Sequence, residues 1–187
     1  MNISNKICEF NKKIDSIFGR FKVKTHKNVQ IYSDKTAEYF AEIHNTQLVD
    51  EIVYYDDEYD VFCFFIITKI DYENLKGYGS SYRVREHVKG EFVFITKQEI
   101  VNQITAVDVS TLRSKDTYLL SSVISQLMLS QHFLVSSANL DTSQIEKRYF
   151  RDNVFSVEHK ILSFTFDYIS DNNICFDFDC LFESCVE

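Results

Sequence analysis

Apolar residues recur at helical spacing at the start of the chain. Ile3, Ile7, Phe10, Ile14 and Ile17 fall on one face, which predicts an amphipathic helix over residues 3–18. Asn2 or Ser4 would cap it, and Gly19 is a natural stop. Residues 29–32 (Val-Gln-Ile-Tyr) read as a short strand. Ser33 or Asp34 would cap a helix over 35–45, with Ala37, Phe40, Ala41 and His44 on one face. Residues 48–55 and 59–70 are rich in Val, Ile, Phe and Tyr and flank Asp56, Asp57 and Glu58, a β-hairpin signal.

Further on, residues 71–90 hold Gly77, Gly79, Gly90 and several charges, and read as a long, partly ordered excursion. Residues 91–95 look like strand, 97–103 fit helix or strand, and 104–110 return to strand. Residues 117–129 predict a buried helix, 132–136 a short buried strand and 142–152 a polar amphipathic helix. Residues 161–169 and 174–182 alternate well. A three-residue turn at Asp171, Asn172 and Asn173 would pair Phe164 with Cys180, Phe166 with Phe178 and Tyr168 with Phe176. That register puts the apolar residues on one face and Asp167, Asp177 and Asp179 on the other. The fold class expected is α+β, with a mixed, mostly antiparallel central sheet flanked by helices. No linker or repeat divides residues 1–187, so one domain is expected: helix 1–18 and an α+β core over 19–187.

Composition narrows the picture. The chain has 187 residues, 45% hydrophobic and 15% aromatic, with 17 Phe and 11 Tyr. A disordered chain would be poor in aromatics. Pro is absent and Gly numbers four, so tight turns must rely on Asn, Asp and Ser. The wealth of Asn, Ile, Lys, Phe and Tyr matches AT-rich coding, as in a phage, a virus or a low-GC bacterium. The first eighteen residues lack the continuous apolar stretch of a signal peptide, and the longest apolar run, 61–67, is too short to span a bilayer. With five Cys and no signal peptide, a cytoplasmic location with reduced thiols is expected.

Net charge is −8 and unevenly spread. Residues 34–60 carry Asp34, Glu38, Glu42, Asp50, Glu51, Asp56, Asp57, Glu58 and Asp60 against Lys35 alone. After Lys160 there is no Lys or Arg. Most such runs are solvated faces; the sharper reading is an acidic surface that meets a basic protein or imitates nucleic-acid phosphate. Direct nucleic-acid binding is disfavoured, because phosphate contacts need a basic footprint, and only the N-terminal segment supplies one. The N-terminal stripe would serve equally for packing on the domain or for pairing with another copy.

The order of elements from 104 to 155 resembles the core of the GCN5-related N-acetyltransferases (GNAT). Ala106, Val107, Asp108, Val109 and Ser110 look like that family's fourth strand, 117–129 like the helix after it, and Phe133 to Ser136 like its fifth strand. Residues 145–155 resemble the fourth-helix segment. The resemblance implies a GNAT-like fold and places acetyl-CoA's pyrophosphate at Arg113, Ser114 and Lys115, with Tyr149 as general acid and Asp108 as base. The family's turn carries Gln or Arg, two residues, Gly, one residue, then Gly or Ala. Here Asp116 and Tyr118 replace the small residues, and Asp116 reads as the helix N-cap, an anion where an anion should bind. No cofactor is therefore expected unless the enzyme reading holds.

Other chemistry is thin. His132 reads as a base or as a helix-end residue. Cys175, Cys180 and Cys185 are spaced by five, without the close Cys/His pairs a zinc site needs, so no metal is expected. The excursion around Tyr78, Tyr82, Arg83 and Arg85, with Asp56, Asp57 and Glu58 in the acidic run, forms the expected partner-binding set. The function expected is a non-catalytic, GNAT-like modulator, encoded by a phage or mobile element, that binds a host protein with a basic surface. The alternatives are a divergent acyl-CoA-dependent N-acetyltransferase and an acidic nucleic-acid mimic.

Overall fold

The computed structural model describes residues 3–33, 38–44, 47–52, 58–75, 81–105, 113–141 and 159–175. These comprise helix α1 (Ile3–Phe18), strands β1 (Val23–Ser33), β2 (Glu38–His44), β3 (Gln47–Ile52), β4 (Val61–Leu75) and β5 (Ser81–Lys97), helices α2 (Gln98–Thr105) and α3 (Arg113–Ser130), and strands β6 (Leu134–Asn139) and β7 (His159–Cys175). The described strands form one sheet in the order β3-β2-β1-β4-β5-β7-β6. The β1–β4 pair is parallel and all other pairs are antiparallel. The class is α+β with a mixed, mostly antiparallel sheet, as the periodicity predicts.

Helix α1 forms because Ile3, Ile7, Phe10, Ile14 and Phe18 recur every three or four residues, and all five are buried. The stripe ends on Phe18; Ile17 points to solvent. The helix ends at Phe18, and Gly19 follows where a Cβ would lie 2.6 Å from the Asp15 carbonyl oxygen, room that only Gly leaves. The stripe packs on the chain's own sheet, which removes it as a face for pairing with another copy. The Phe10 ring stands edge-on to Phe65, Phe92 and Phe133 at centroid distances of 5.3, 5.0 and 5.7 Å. Phe133 in turn meets Phe166 at 5.0 Å and Tyr168 at 5.5 Å. One aromatic cluster thus joins α1, β4, β5, β7 and the approach to β6.

The sheet changes character along a single line. In β4, Ile67 pairs with Gly90 and Lys69 with Lys89, so Thr68 is an extra residue, and its hydroxyl donates to the Lys89 carbonyl at 3.0 Å. In β6, Val135 pairs with Phe166 and Ser137 with Thr165, so Ser136 is extra, and its hydroxyl donates to the Thr165 carbonyl at 3.2 Å. Gly90 sits between these bulges, opposite Phe166. A Cβ at Gly90 would lie 2.5 Å from the Ile66 carbonyl oxygen and 2.7 Å from the Phe166 ring. On one side of the line every residue of β4 from Val61 to Ile66 is buried; on the other, residues 68–74 are exposed.

Four expectations are corrected. Residues 38–44 are strand, because Glu38 to Glu42 pair with β1 and sheet pairing overrides the helical spacing. Strands β3 and β4 do not form a hairpin; β3 pairs with β2, and β4 lies between β1 and β5. Residues 71–90 are no excursion over their described part, since β4 runs to Leu75 and β5 begins at Ser81. Their charges alternate along a ribbon that β7 completes to three strands, a pattern easily read as loop. The turn at 171–173 does not exist: Asp171, Asn172 and Asn173 pair with Arg85, Val84 and Arg83 inside β7. The residues assigned as partners to Phe164, Phe166 and Tyr168 lie outside the described residues, as does the helix over 142–152, but those three side chains do share one buried face.

Removing the central ring should be costly. Phe10→Ala is expected to lower unfolding free energy by about 3–5 kcal/mol, and Gly90→Ala by about 1–3 kcal/mol through overpacking, both measured by urea denaturation.

Candidate interaction surface

Helix α3 buries Leu120, Ser121, Ile124, Leu127 and Met128 against β6, β7 and α2. Its outer face is unusual for a surface helix. Tyr118 is 65% exposed, Leu119 46%, Val123 42% and Leu129 51%, and the exposed residues between them are Ser122 and Gln126. Scattered exposed apolar residues are ordinary, but a contiguous set on one helix face is not. The helix is therefore only half buried, which corrects the expectation for 117–129.

The turn after α3 closes in a defined way. The Phe133 amide donates to the Met128 carbonyl at 3.0 Å, and the His132 amide donates to the Leu129 carbonyl at 2.9 Å. His132 has φ of 66°, the left-handed conformation of a Schellman cap, usually given to Gly. His132 is thus a helix-end residue with its ring exposed. The reversal drives Phe133 into the aromatic cluster and leaves Leu134 53% exposed. Strand β6 follows at the end of the sheet, with most side chains exposed, where a buried strand was expected.

From 117 to 140 the sequence contains no Asp, Glu, Lys or Arg, although such residues form 26% of the chain. The outer face of α3 and the strand β6 both lie within this stretch. Leu129 and Leu134 stand on either side of the turn that joins them. The opposite end of the sheet differs. Strands β2 and β3 carry Glu38, Glu42, Asp50 and Glu51 and no Lys or Arg. Charges along an edge discourage strand addition, and β6 has neither charge nor Pro.

The sequence-derived site residues are dispersed. Arg85 lies in β5, and its guanidinium forks onto Asp171 of β7, with Nε to Oδ1 at 2.7 Å and Nη2 to Oδ2 at 3.2 Å. Glu73 lies 3.7 Å from Arg85 and 3.6 Å from His87. Lys69 pairs with Asp71 at 2.6 Å, and Lys89 with Asp167 at 3.6 Å. These are mutually satisfied surface pairs across three strands, not a cluster aimed at a ligand. The pairing with Asp171 raises the Arg85 pKa further. On the reverse face of the ribbon Glu86 is buried, accepting from the Ser170 hydroxyl at 3.3 Å. Burial chiefly raises the pKa of neighbouring Tyr168, against a Ser170 hydrogen bond that lowers it.

Tyr82 and Arg83 are also in β5, and Glu58 is an exposed residue ahead of β4. Tyr78, Asp56, Asp57, Asp108 and Tyr149 lie outside the described residues. Arg113, Ser114 and Lys115 occupy the first turn of α3 rather than a loop before it, and Asp116 is the fourth helical residue, so it is not the N-cap. Asp60, the last acid of the run 34–60, is structural. Its carboxylate accepts from the Lys22 amide at 3.0 Å and meets Lys97 Nζ at 3.4 Å, while its carbonyl accepts from the Thr96 hydroxyl at 3.0 Å. It ties the start of β4 to β1 and β5.

Among the described residues no group of His, Cys, Asp and Glu is placed to hold a metal. Cys63 is fully buried, and burial, with the nearby charge of Asp15, pushes its pKa far above the ordinary thiol range. Asp15 is itself raised by partial burial. No described helix is long and apolar enough to cross a membrane. Compared with models of known protein families and with curated proteins, the chain matches neither. The surface on α3 and β6 escaped sequence reasoning, yet its signal was present: a long stretch without charge in a charge-rich chain.

Three outcomes follow from this geometry. His132→Gly is expected to stabilise the chain by about 0.4–1 kcal/mol in urea denaturation, by relieving the left-handed conformation. Asp60→Ala is expected to cost about 1–3 kcal/mol, since it removes hydrogen bonds to a carboxylate. Cys63 should react with a thiol reagent only as fast as the chain unfolds, read by mass spectrometry of its peptide.

Proposed function

We propose that this protein is non-catalytic and works by binding protein through the uncharged surface formed by α3 and the β6 edge. The observation that carries this reading is the exposure of Tyr118, Leu119, Val123 and Leu129 on the outer face of α3, and of Leu134 beyond the turn that follows it, in a stretch with no charge. Such a surface costs solubility and suits a site that is covered in use. Strand β6 ends the sheet among the described residues; a terminal strand offers main-chain hydrogen bonds and the neighbouring helix offers apolar contact, both recurrent means of peptide and protein recognition.

The acidic strands β2 and β3 lie at the far end of the sheet, and we propose that they draw a basic partner surface by long-range attraction. A modulator encoded by a phage or mobile element fits a small acidic chain of this kind. The likeness to the acetyltransferases is, in this reading, one of fold order without the chemistry. What supports this is the sequence: Asp116 stands at the position of the small residue in that family's phosphate turn.

The test compares wild type with Val123→Glu and Leu134→Lys as bait in a low-GC bacterial lysate, alongside thermal-shift titration with acetyl-CoA. Wild type should retain a partner that both variants lose, with melting temperatures unchanged and no shift by acetyl-CoA. Capture unaffected by either variant, or acyl transfer from acetyl-CoA to an amine, would overturn the proposal.

A further inference from the structure

We infer that the basic corner where α1 turns into β1 is a docking surface for the phosphate backbone of a nucleic acid. The inference is independent of the surface on α3 and β6. Residues 12–24 carry Lys12, Lys13, Arg20, Lys22 and Lys24, with Asp15 the single acid among them. The fold gathers these cations toward one end of the sheet. Phe10 packs on Phe92 and Phe18 on Phe94, so α1 runs toward the end where β5 stops at Lys97. The turn after α1 is fastened there, because the Lys22 carbonyl accepts from the Asp60 and Val61 amides at 2.8 and 3.1 Å. Lys160 of β7 pairs with Thr96 of β5 at the same end.

The pairing of charges separates this corner from the rest of the molecule. Lys6, Lys69, Arg85, Lys89 and Lys97 each lie within ion-pair distance of a carboxylate. Among the described residues, Lys12, Lys13, Arg20, Lys22, Lys24 and Lys160 have no such partner, although the chain holds 28 acids to 20 Lys and Arg. Two of them are held by neutral groups instead. Arg20 donates to the Gln103 carbonyl at 2.8 Å and lies over the Phe21 ring at 4.7 Å. Lys24 lies over the Tyr59 ring at 5.1 Å. Such contacts orient a cation and leave its charge available to a partner. Asp60, the acid that touches the turn, is already engaged by the Lys22 amide and by Lys97. Lys12, Lys13, Arg20 and Lys22 are exposed.

The spread of the cations decides the size of the partner. Lys24 on β1 and Lys160 on β7 stand three strands apart in the order β1-β4-β5-β7, about 14 Å at roughly 4.8 Å per strand. A small anion cannot span that distance, whereas duplex DNA presents about eight phosphates over it. A membrane surface is the other extended anion. Proteins that lie on one insert several apolar residues beside their cations, and here Ile17 is the single exposed large hydrophobic residue between 3 and 26. Lys and Arg on a helix flank and a sheet end contact phosphates rather than base edges, so binding is independent of sequence. The acids elsewhere on the chain repel a polyanion, which confines it to this corner and keeps the affinity low. The complex is therefore weak, non-specific and steeply dependent on salt.

Fluorescence anisotropy of a labelled duplex of about 20 base pairs, titrated with the full chain in about 25 to 200 mM NaCl, tests the inference. The expected dissociation constant is roughly 1–100 µM at the lowest salt, weakening with a log–log slope of about five for six phosphate contacts. Lys12→Glu with Lys13→Glu, and Lys22→Glu with Lys24→Glu, should each weaken binding by about ten-fold or more with the melting temperature unchanged. Should a reversal lower the melting temperature, the neutral pair Lys12→Gln with Lys22→Gln carries the same expectation at several-fold. Lys89→Gln, at a paired cation of the ribbon, and Val123→Glu on α3 should leave binding as it is. Absence of binding at the lowest salt, or binding that survives both charge reversals, overturns the inference. So does retention on vesicles containing about 30% anionic lipid by a chain that leaves the duplex free.

Discussion

The stacking of Phe10 against Phe65, Phe92 and Phe133 is the contact on which the other arrangements depend. These rings come from α1, β4, β5 and the turn before β6, segments far apart in sequence. Edge-to-face rings hold orientation as well as proximity, so the cluster sets how α1 crosses the sheet and where the chain leaving α3 must enter. Phe133 reaches the cluster only because His132 takes a left-handed conformation. The strain of that residue is offset by burial of the ring that follows it. The side chain after that, Leu134, must then face outward. An internal packing demand and an external apolar surface are two ends of the same three-residue turn.

A second constraint shapes the sheet. Gly90 faces Ile66 on one strand and Phe166 on another, with no room for a side chain. The bulges at Thr68 and Ser136 stand level with it, each returning a hydroxyl to the partner strand's carbonyl. On one side of this line strands are buried on both faces: Phe62, Phe64, Val93, Ile95 and Ile161 are as buried as Phe65, Phe92 and Phe164. On the other side β5 and β7 keep one buried face while β4 is exposed on both, and the charged face carries ion pairs. Those charges keep the exposed ribbon soluble and in register; their energies are modest because water screens them.

The parts of this fold legible from sequence are those where one period runs long enough. Helix α1 was readable from four of its five buried apolar residues, with Phe18 replacing Ile17 at the end. The apolar start of β4 and the end of β5 were readable from their wealth of Phe, Val and Ile, and the start of β7 from alternation. The failures share a cause: local chemistry was outweighed by a strand partner elsewhere. Asp171, Asn172 and Asn173 are strong turn formers, yet Arg85, Val84 and Arg83 hold them in β7. The charges of 69–89 suggested a loop until cross-strand register showed that they alternate on a ribbon. Residues 38–44 carry helical spacing and still pair with β1. The GNAT resemblance led attention to Arg113 and Tyr149, and so away from residues 117–140, whose lack of charge was visible throughout.

That lack of charge is hard to account for by folding alone. The buried face of α3 needs Leu120, Ile124, Leu127 and Met128 to be apolar, and the sheet needs Phe133. Nothing in the packing requires Leu119, Val123, Leu129, Leu134 or Ala138 to be uncharged, since each is open to solvent. Lys or Glu at the exposed helix positions would favour helix at least as well as Val123, and would raise solubility. On β6 a single Lys would guard the edge against unwanted pairing. The same chain places acids on β2 and β3 at its opposite end and alternates both signs along the ribbon. Its surface therefore has charge available and omits it along one stretch of sequence, residues 117–140. The proposed docking role would account for the omission, because a charge buried at an interface costs more than exposed leucines do.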